Sequence, residues 1–421
     1  MASNMIGLVY GHFASNLGDI AITKGVAQFL GGMGKQFCFL APPMSDVGRR
    51  ALEKLEADLG KLDIRPADSQ LESPLRRRKP EQGTELGFLD DVILQPDAIL
   101  ARNNIGDCDT LVFMGGEHLF SSGSSRDIDA LAGRLVPCLA GIAAGRKVIC
   151  LPSTFGPYKD ALSRCLVRTF LKGCSAAAVR EPASLEHIAS LGPDVPQLPL
   201  FLDSAFLLQP PTYALPDEKL INVVVRLDQF GMRLGGPMSN SALRAMRESS
   251  FAGSASINLS TYLITELLRT DSDARVQMLV QTDSDQEVAN EIAKRIQSQT
   301  QFPPERLTVS RPATIDAFLL ALSRGQCTVS SRFHAIIFSA LVGRPSLGVH
   351  FPEHGHKIPG LMSLLGLAEF SFDGKASQAA DVAAALTRLV NKAGEISQEL
   401  TGRVAQLRSG TESWMRSALS D

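Results

Sequence analysis

The sequence predicts an α/β protein built from two doubly wound parallel sheets, on three observations. Short apolar runs of strand length alternate with helical periodicity along the chain. That alternation occurs twice, on either side of a cluster formed by Pro193, Pro196, Pro199, Pro210, Pro211 and Pro216. The length, 421 residues, exceeds what one ordinary core organises. Prolines end regular structure and stiffen linkers. The boundary is therefore placed after Asp203, giving an N-terminal Rossmann-like domain over 1–205 and a C-terminal one over 206–375. A helical segment follows over 376–421. Two such domains facing each other would leave a cleft, a natural place for a ligand.

In the first half, Met5 to Val9 reads as a strand. It is followed by Gly11-His12-Phe13-Ala14-Ser15-Asn16-Leu17-Gly18-Asp19 and a helix with Ile22, Val26, Phe29 and Leu30 on one face. Gly18 would permit close backbone approach, and Asp19 can cap the helix. The spacing fits neither Gly-x-Gly-x-x-Gly nor a phosphate-binding loop with its lysine, so no nucleotide site follows. Lys35–Leu40 is the next strand and Ala51–Leu59 a charged helix. Asp109–Met114 is a strand that runs into Gly115-Gly116-Glu117, which would open space at the carboxyl edge of a parallel sheet. Lys147–Leu151 and Ala176–Val179 are further strands, the first ending at Pro152 and the second leading into Arg180. Leu185, Ile188 and Ala189 mark a helix.

The second half restarts with strand Ile221–Val225, leading into Arg226. Gly231 to Ser260, rich in Gly, Ser and Met, reads as a mobile loop. Strands follow at Arg275–Val280 and Leu307–Val309, with helical faces at Val288, Ile292, Ile296 and at Ile315, Phe318, Leu319, Leu322. The chain then reaches Ser330-Ser331-Arg332-Phe333-His334. A short buried strand, Gln326–Val329, precedes it, and a helix with Ile337, Ala340 and Leu341 follows, stopped by Gly343. Strand Ser346–Val349 and a helical end from Ala380 complete the pattern.

A helix start presents unpaired N–H groups that favour an anion. Arg332 adds a planar cation, and His334 a proton that moves near neutral pH. The plainer reading is a helix start with Arg332 pairing a carboxylate. Arg180, Arg226 and Arg332 all follow strands, which suits an anionic substrate.

Composition narrows the class. Hydrophobic residues make up 44% and charged residues 20%, as in soluble globular chains. A formal net charge of −2 argues against general nucleic-acid binding. No apolar run is long enough to span a bilayer, and the start lacks a signal peptide's features. Seven scattered cysteines read as free thiols, which points to the cytoplasm. Arg76-Arg77-Arg78-Lys79, between Pro74 and Pro80, is a solvated loop or a patch for the inner membrane surface. His350, His354 and His356 resemble a metal cluster, but Pro352 and Gly355 mark a loop with no completing ligand, so no metal is assigned.

The chain resembles the polysaccharide pyruvyl transferase family. The matching pieces are Asn16-Leu17-Gly18-Asp19, Gly115-Gly116, Phe155-Gly156-Pro157, Val179-Arg180-Glu181 with Ser184, and Leu202-Asp203-Ser204-Ala205-Phe206. Val225-Arg226, Ser331-Arg332-Phe333-His334 and Lys357 complete them. Their order and spacing carry the resemblance more than any one piece. It implies two facing Rossmann-like domains of the GT-B glycosyltransferase kind, with the helical segment over 376–421 near their junction. It also implies transfer of a pyruvyl group from phosphoenolpyruvate to two hydroxyls of a sugar in a polysaccharide or its lipid-linked precursor, forming a cyclic ketal without a cofactor. The family often has an aromatic and an acid shortly before the lysine. Here His354-Gly355-His356 lead into Lys357 instead.

On this resemblance His334, Arg332 and Lys357 are expected to be catalytic. Arg226, Arg180, Arg332 and Ser331 are expected at the donor, and Asn16, Gly18, Asp19, Gly115, Gly116 and Glu117 at the acceptor. Two other functions use the same scaffold: a glycosyltransferase acting on a nucleotide sugar, and a non-catalytic glycan-binding protein.

Overall fold

A computed structural model describes residues 5–11, 13, 16–42, 44–68, 87–211, 213, 215–228, 250–299, 302–352 and 356–420. The run Arg76–Lys79 and His354 lie outside them. The chain forms two compact units. One comprises Met1–Ser15, Asp19–Gln209 and Leu407–Asp421, the other Asn16–Gly18 and Pro210–Gln406.

The elements of the first unit begin with β1 (Met5–Val9), α1 (Leu17–Gly32), β2 (Gln36–Ala41), α2 (Asp46–Leu59) and β3 (Ile64–Pro66). Next come α3 (Gly87–Leu94), α4 (Pro96–Arg102), β4 (Thr110–Phe113), β5 (Gly116–Ser121) and α5 (Ser125–Ala143). The unit continues with β6 (Lys147–Tyr158), α6 (Ala161–Gly173), β7 (Ala176–Val179) and α7 (Ala183–Ala189). Its strands form one parallel sheet in the order β3-β2-β1-β4-β6-β5, with β7 also paired to β6. The winding reverses between β1 and β4, so their carboxyl ends border the switch-point crevice where such sheets hold ligands. Leu40, Leu111, Phe113, Leu135, Val148 and Phe170 form its core.

The second unit contains β8 (Asp217–Val224), α8 (Ala255–Thr270), β9 (Arg275–Leu279), α9 (Asp285–Gln299), β10 (Leu307–Ser310) and α10 (Ile315–Arg324). It goes on through β11 (Gly325–Ser330), α11 (Phe333–Leu341), β12 (Ser346–His350), α12 (Lys357–Leu364), β13 (Ser371–Asp373) and α13 (Ala379–Asn391). The parallel order is β10-β9-β8-β11-β12-β13, with the switch point between β8 and β11. Phe318 packs edge-on against Phe338 in its core, with ring centroids 5.7 Å apart. The last helix, α14 (Ala393–Leu419), starts in this unit. Its residues from Leu407 belong to the first, where Trp414 stacks on Phe201 and Thr411 accepts from the Leu202 N–H.

Side-chain caps explain several helix starts. Ser45, Ser124, Asp160, Ser254 and Thr314 each accept from a backbone N–H three residues on. The two parallel α/β sheets are those the alternation predicts, but some local expectations fail. Strand β6 continues past Pro152 to Tyr158, because β5 pairs along its far half and buries Phe155 and Tyr158. The strand expected over Asp109–Met114 is β4, and the glycines after it lead directly into another strand, β5, which begins at Gly116. Of the loop expected over 231–260, residues 231–249 lie outside the described residues, and α8 begins within the remainder at Ala255, where Asp228 accepts from the Ala255 N–H. Asn16, and not Asp19, caps α1: its Oδ1 accepts from the Gly18 N–H at 3.1 Å, while Asp19 sits in the first turn. All seven cysteines are free, and five are buried. Among the described residues no helix is long and apolar enough to cross a membrane.

Candidate functional site

In the second unit, the carboxyl ends of β8 and β11 are locked together at the switch point. Ser331 N–H donates to Val224 O at 3.0 Å, and Arg226 N–H donates to Ser331 Oγ at 2.9 Å. The Arg226 carbonyl accepts from Ser256 Oγ at 2.6 Å. Ser330 Oγ receives the Arg332 N–H and donates to the Arg332 carbonyl, fixing the turn that starts α11. Both backbones are thus fixed where ligands approach such sheets.

Arg332 is held by residues that follow β9. Its Nη2 donates to Thr282 Oγ1 at 2.9 Å and to the Asp285 carboxylate. Asp285, 2% exposed, also accepts from the Thr282 N–H at 3.1 Å. The plainer reading of Arg332, a pairing with a carboxylate, is therefore present along one edge of the guanidinium. Its Nε is buried with no hydrogen-bond partner among the described residues, a state that disfavours a donor by about 1–3 kcal/mol until an oxygen fills it. Sequence reasoning missed Thr282 and Asp285, since nothing in one sequence links them to Arg332 across four intervening elements.

His334 occupies the first turn of α11, with its ring 5.4 Å from Phe333 and 6.3 Å from Phe338. Gly18 lies against it: a β-carbon on Gly18 would be 2.3 Å from His334 Nδ1. Beside Gly18, Asn16 Oδ1 also accepts from Gln281 Nε2 at 3.1 Å. Gln281 is 3% exposed, and its Oε1 has no hydrogen-bond partner among the described residues. The close approach expected at Gly18 is thus made by a protein side chain. Lys357, at the start of α12 and 9% exposed, places its Nζ 5.8 Å from the centroid of the Phe333 ring. Phe333 therefore touches both His334 and Lys357. His350 ends β12, where burial pushes its pKa down against the pull of Asp373.

Arg180, in the first unit, is 2% exposed. Its Nε donates to Thr154 Oγ1 at 2.8 Å and its Nη1 to Asp203 Oδ2 at 2.5 Å, with Glu181 Oε2 3.6 Å from Nε. Burial acts to lower its pKa, but the charges of Asp203, Glu181 and Glu117 outweigh this and leave it raised. Ser184 Oγ accepts from the Phe155 N–H and donates to Glu181. Asp203 also accepts from the Ala205 N–H at 2.7 Å. Thr154, the Phe155 backbone, Arg180, Glu181, Ser184 and Asp203, drawn from three stretches of the sequence, thus form one buried polar cluster. Every charge in it has an opposite partner, as burial demands.

Gly115 and Gly116 bridge β4 and β5 with φ of +86° and +98°, values that favour glycine. Glu117 beside them is exposed. Gly115 also lines a cavity of about 290 Å³ at the carboxyl ends of β1 and β4, together with Val9, Tyr10, Phe113, His118 and Arg134. Space at Gly115 is what the Gly115-Gly116 run predicts, whereas Tyr10 and Arg134 in its lining carry no motif and were missed. Among the described residues no group of His, Cys, Asp or Glu converges in a way that could hold a metal ion.

Comparison with known proteins places these observations in a family. The sequence model for polysaccharide pyruvyl transferases matches residues 16–349. No curated protein matches the chain significantly by sequence. Among solved structures, a glycosyltransferase from Rickettsia africae is 13% identical with a TM-score of 0.56, covering 99% of this chain and 98% of its own. The UDP-GlcNAc 2-epimerase of Neisseria meningitidis, bound to UDP-GlcNAc, is 10% identical with a TM-score of 0.54, covering 97% and 99%. The UDP-GlcNAc 2-epimerase of Methanocaldococcus jannaschii is 8% identical with a TM-score of 0.53, covering 92% and 93%. At such identities the likeness shows the fold, that of GT-B glycosyltransferases and related epimerases.

Proposed function

The chain belongs to the polysaccharide pyruvyl transferase family, and from that premise we propose that it moves a pyruvyl group from phosphoenolpyruvate to two hydroxyls of a sugar. The product is a cyclic ketal on a polysaccharide or its lipid-linked precursor, made in the cytoplasm or at the inner face of the membrane. The observation that carries this reading is the turn between β11 and α11. There an arginine anchored by Asp285 and Thr282 stands two residues from a histidine seated on Gly18.

Phosphoenolpyruvate carries a phosphate and a carboxylate on one small frame, and guanidinium groups suit both. Arg332 and Arg226, at adjacent strand ends, act as the clamp, with Ser331 fixing the Arg226 backbone. Asp285 holds one edge of Arg332 and leaves its Nε side for the donor. Arg180 acts from within its buried cluster, as a positioning residue at the end of β7.

The methylene carbon first gains a proton and becomes a methyl group, leaving the neighbouring carbon cation-like. A sugar hydroxyl attacks that carbon and gives up its proton. The carbon–oxygen bond to phosphate then breaks, and a second hydroxyl closes the ring, losing a second proton. One of the two released protons replaces the one added to carbon, and the other leaves with phosphate. His334 carries these protons, because arginine stays protonated at any workable pH. Lys357 neutralises the departing phosphate. Gly115, Gly116 and Glu117 in the first unit contact the acceptor, while Asn16 and Gly18 support His334. No metal or cofactor enters this scheme.

Binding of phosphoenolpyruvate to the free protein tests the donor assignment. A ligand at a hundredfold its Kd stabilises a fold by about 2.7 kcal/mol, so Tm should rise with phosphoenolpyruvate and not with a nucleotide sugar. A rise with the nucleotide sugar alone would reverse the assignment.

A further inference from the structure

The cavity at the β1–β4 edge contains a cation that the donor chemistry does not use. Arg134 lies on α5, in a stretch that is buried almost all round. Packing alone would place an apolar side chain there. Its Nη1 donates to the His118 carbonyl at 3.0 Å, and among the described residues no carboxylate pairs with it. Burial pulls its pKa below that of an ordinary arginine. A guanidinium has five donors, and a half-buried one that the Asp127 carboxylate reaches only through its charge, with no hydrogen bond between them, is a ready partner for an anion.

The rest of the lining fits a sugar ring. Val9, Phe113 and Ala130 supply apolar wall, and Tyr10 adds an aromatic face. The Tyr10 hydroxyl is tied to the Gly133 carbonyl at 2.7 Å, and its backbone has φ +63°, rare for a side chain of that size. Such backbone strain concentrates where a site is built. The cavity also lies at the switch point of its sheet.

We propose that this cavity binds an acidic sugar unit of the acceptor glycan, with Arg134 taking its anionic group and Tyr10 and Phe113 its ring. The proposal rests on the glycan reading above for the class of ligand. The anion could be a uronate carboxylate or a sugar phosphate, and three probes separate these: methyl glucuronide, glucose 1-phosphate and neutral methyl glucoside. Calorimetric titration of the full chain should show one or both acidic probes binding at least about tenfold more tightly than the neutral one. Arg134→Gln should erase that difference, and Arg134→Lys should keep part of it. Ala130→Leu, which fills the cavity, should abolish binding of every probe even if Arg134→Gln does not fold. Equal affinity for the three probes, no binding of any, or discrimination that survives Arg134→Gln would overturn the proposal. Phosphate release from phosphoenolpyruvate by the wild-type protein is read separately, so failure of the donor reading would be seen independently.

Discussion

Gly18 and His334 fit together only because Gly18 has no side chain: a β-carbon there would lie 2.3 Å from His334 Nδ1 and 2.4 Å from its Cγ. Such contacts are far inside van der Waals distance, so an added methyl group must push the imidazole out of its seat. The glycine thus sets where the proposed proton carrier stands. General acid–base groups contribute about 10²–10⁴-fold to rate, and a displacement of the order of 1 Å can forfeit about 10²-fold.

Two substitutions should therefore converge. His334→Gln should lower kcat by about 10²–10⁴-fold while phosphoenolpyruvate still binds. Gly18→Ala should lower kcat in the same direction with the histidine intact. Single-turnover rates measured beside donor affinity would check both. Near-normal kcat in His334→Gln would assign the proton step to another group, with Lys357 next in line.

The clamp has its own signature. Arg332→Lys keeps the charge but loses the planar fork, so KM for phosphoenolpyruvate should rise. Asp285→Asn leaves Arg332 in place but removes the charge that holds one edge, and should raise KM less than Arg332→Lys does. Unchanged donor affinity in both variants would remove Arg332 from the clamp.

How much of this was legible in the sequence differs from place to place. The β11–α11 turn was readable because an apolar run, two serines and a helical face announce it locally. The close approach at Gly18 was expected, but its partner was not, since only the folded chain brings residue 334 to residue 18. The Asp285 and Thr282 contacts were hidden for the same reason. Strand β6 was read short because Pro152 looks like a stop, whereas pairing with β5 overrides local propensity. The buried cluster was visible only as scattered motif residues that could as well have touched substrate.

That cluster sets a stability expectation. Asp203 is 2% exposed and serves both Arg180 and the Ala205 N–H. Removing one partner of a buried ion pair typically costs about 3–5 kcal/mol. Asp203→Ala should lower stability by about that much in denaturant titration, whatever its effect on donor affinity. A change of a few tenths would mean that water replaces the lost carboxylate.

His350 gives stability a pH dependence. Burial, opposed in part by Asp373, depresses its folded pKa below the ordinary 6.5. The unfolded chain then binds more protons than the folded one as pH falls, so the contribution is full above 6.5 and is lost toward the folded pKa. Wild-type Tm should fall between about pH 7 and 5 by more than that of His350→Gln. Parallel curves for the two proteins would show His350 to be as solvated folded as unfolded.

The most direct test of the account is mass spectrometry of candidate sugar acceptors after incubation with the protein and phosphoenolpyruvate. The account predicts a product heavier than the acceptor by one pyruvate less one water, with one phosphate released per product and formation slowed about 10²–10⁴-fold in His334→Gln. An unmodified acceptor across the panel, or a product heavier by a sugar unit with nucleotide released from a sugar nucleotide, would contradict it.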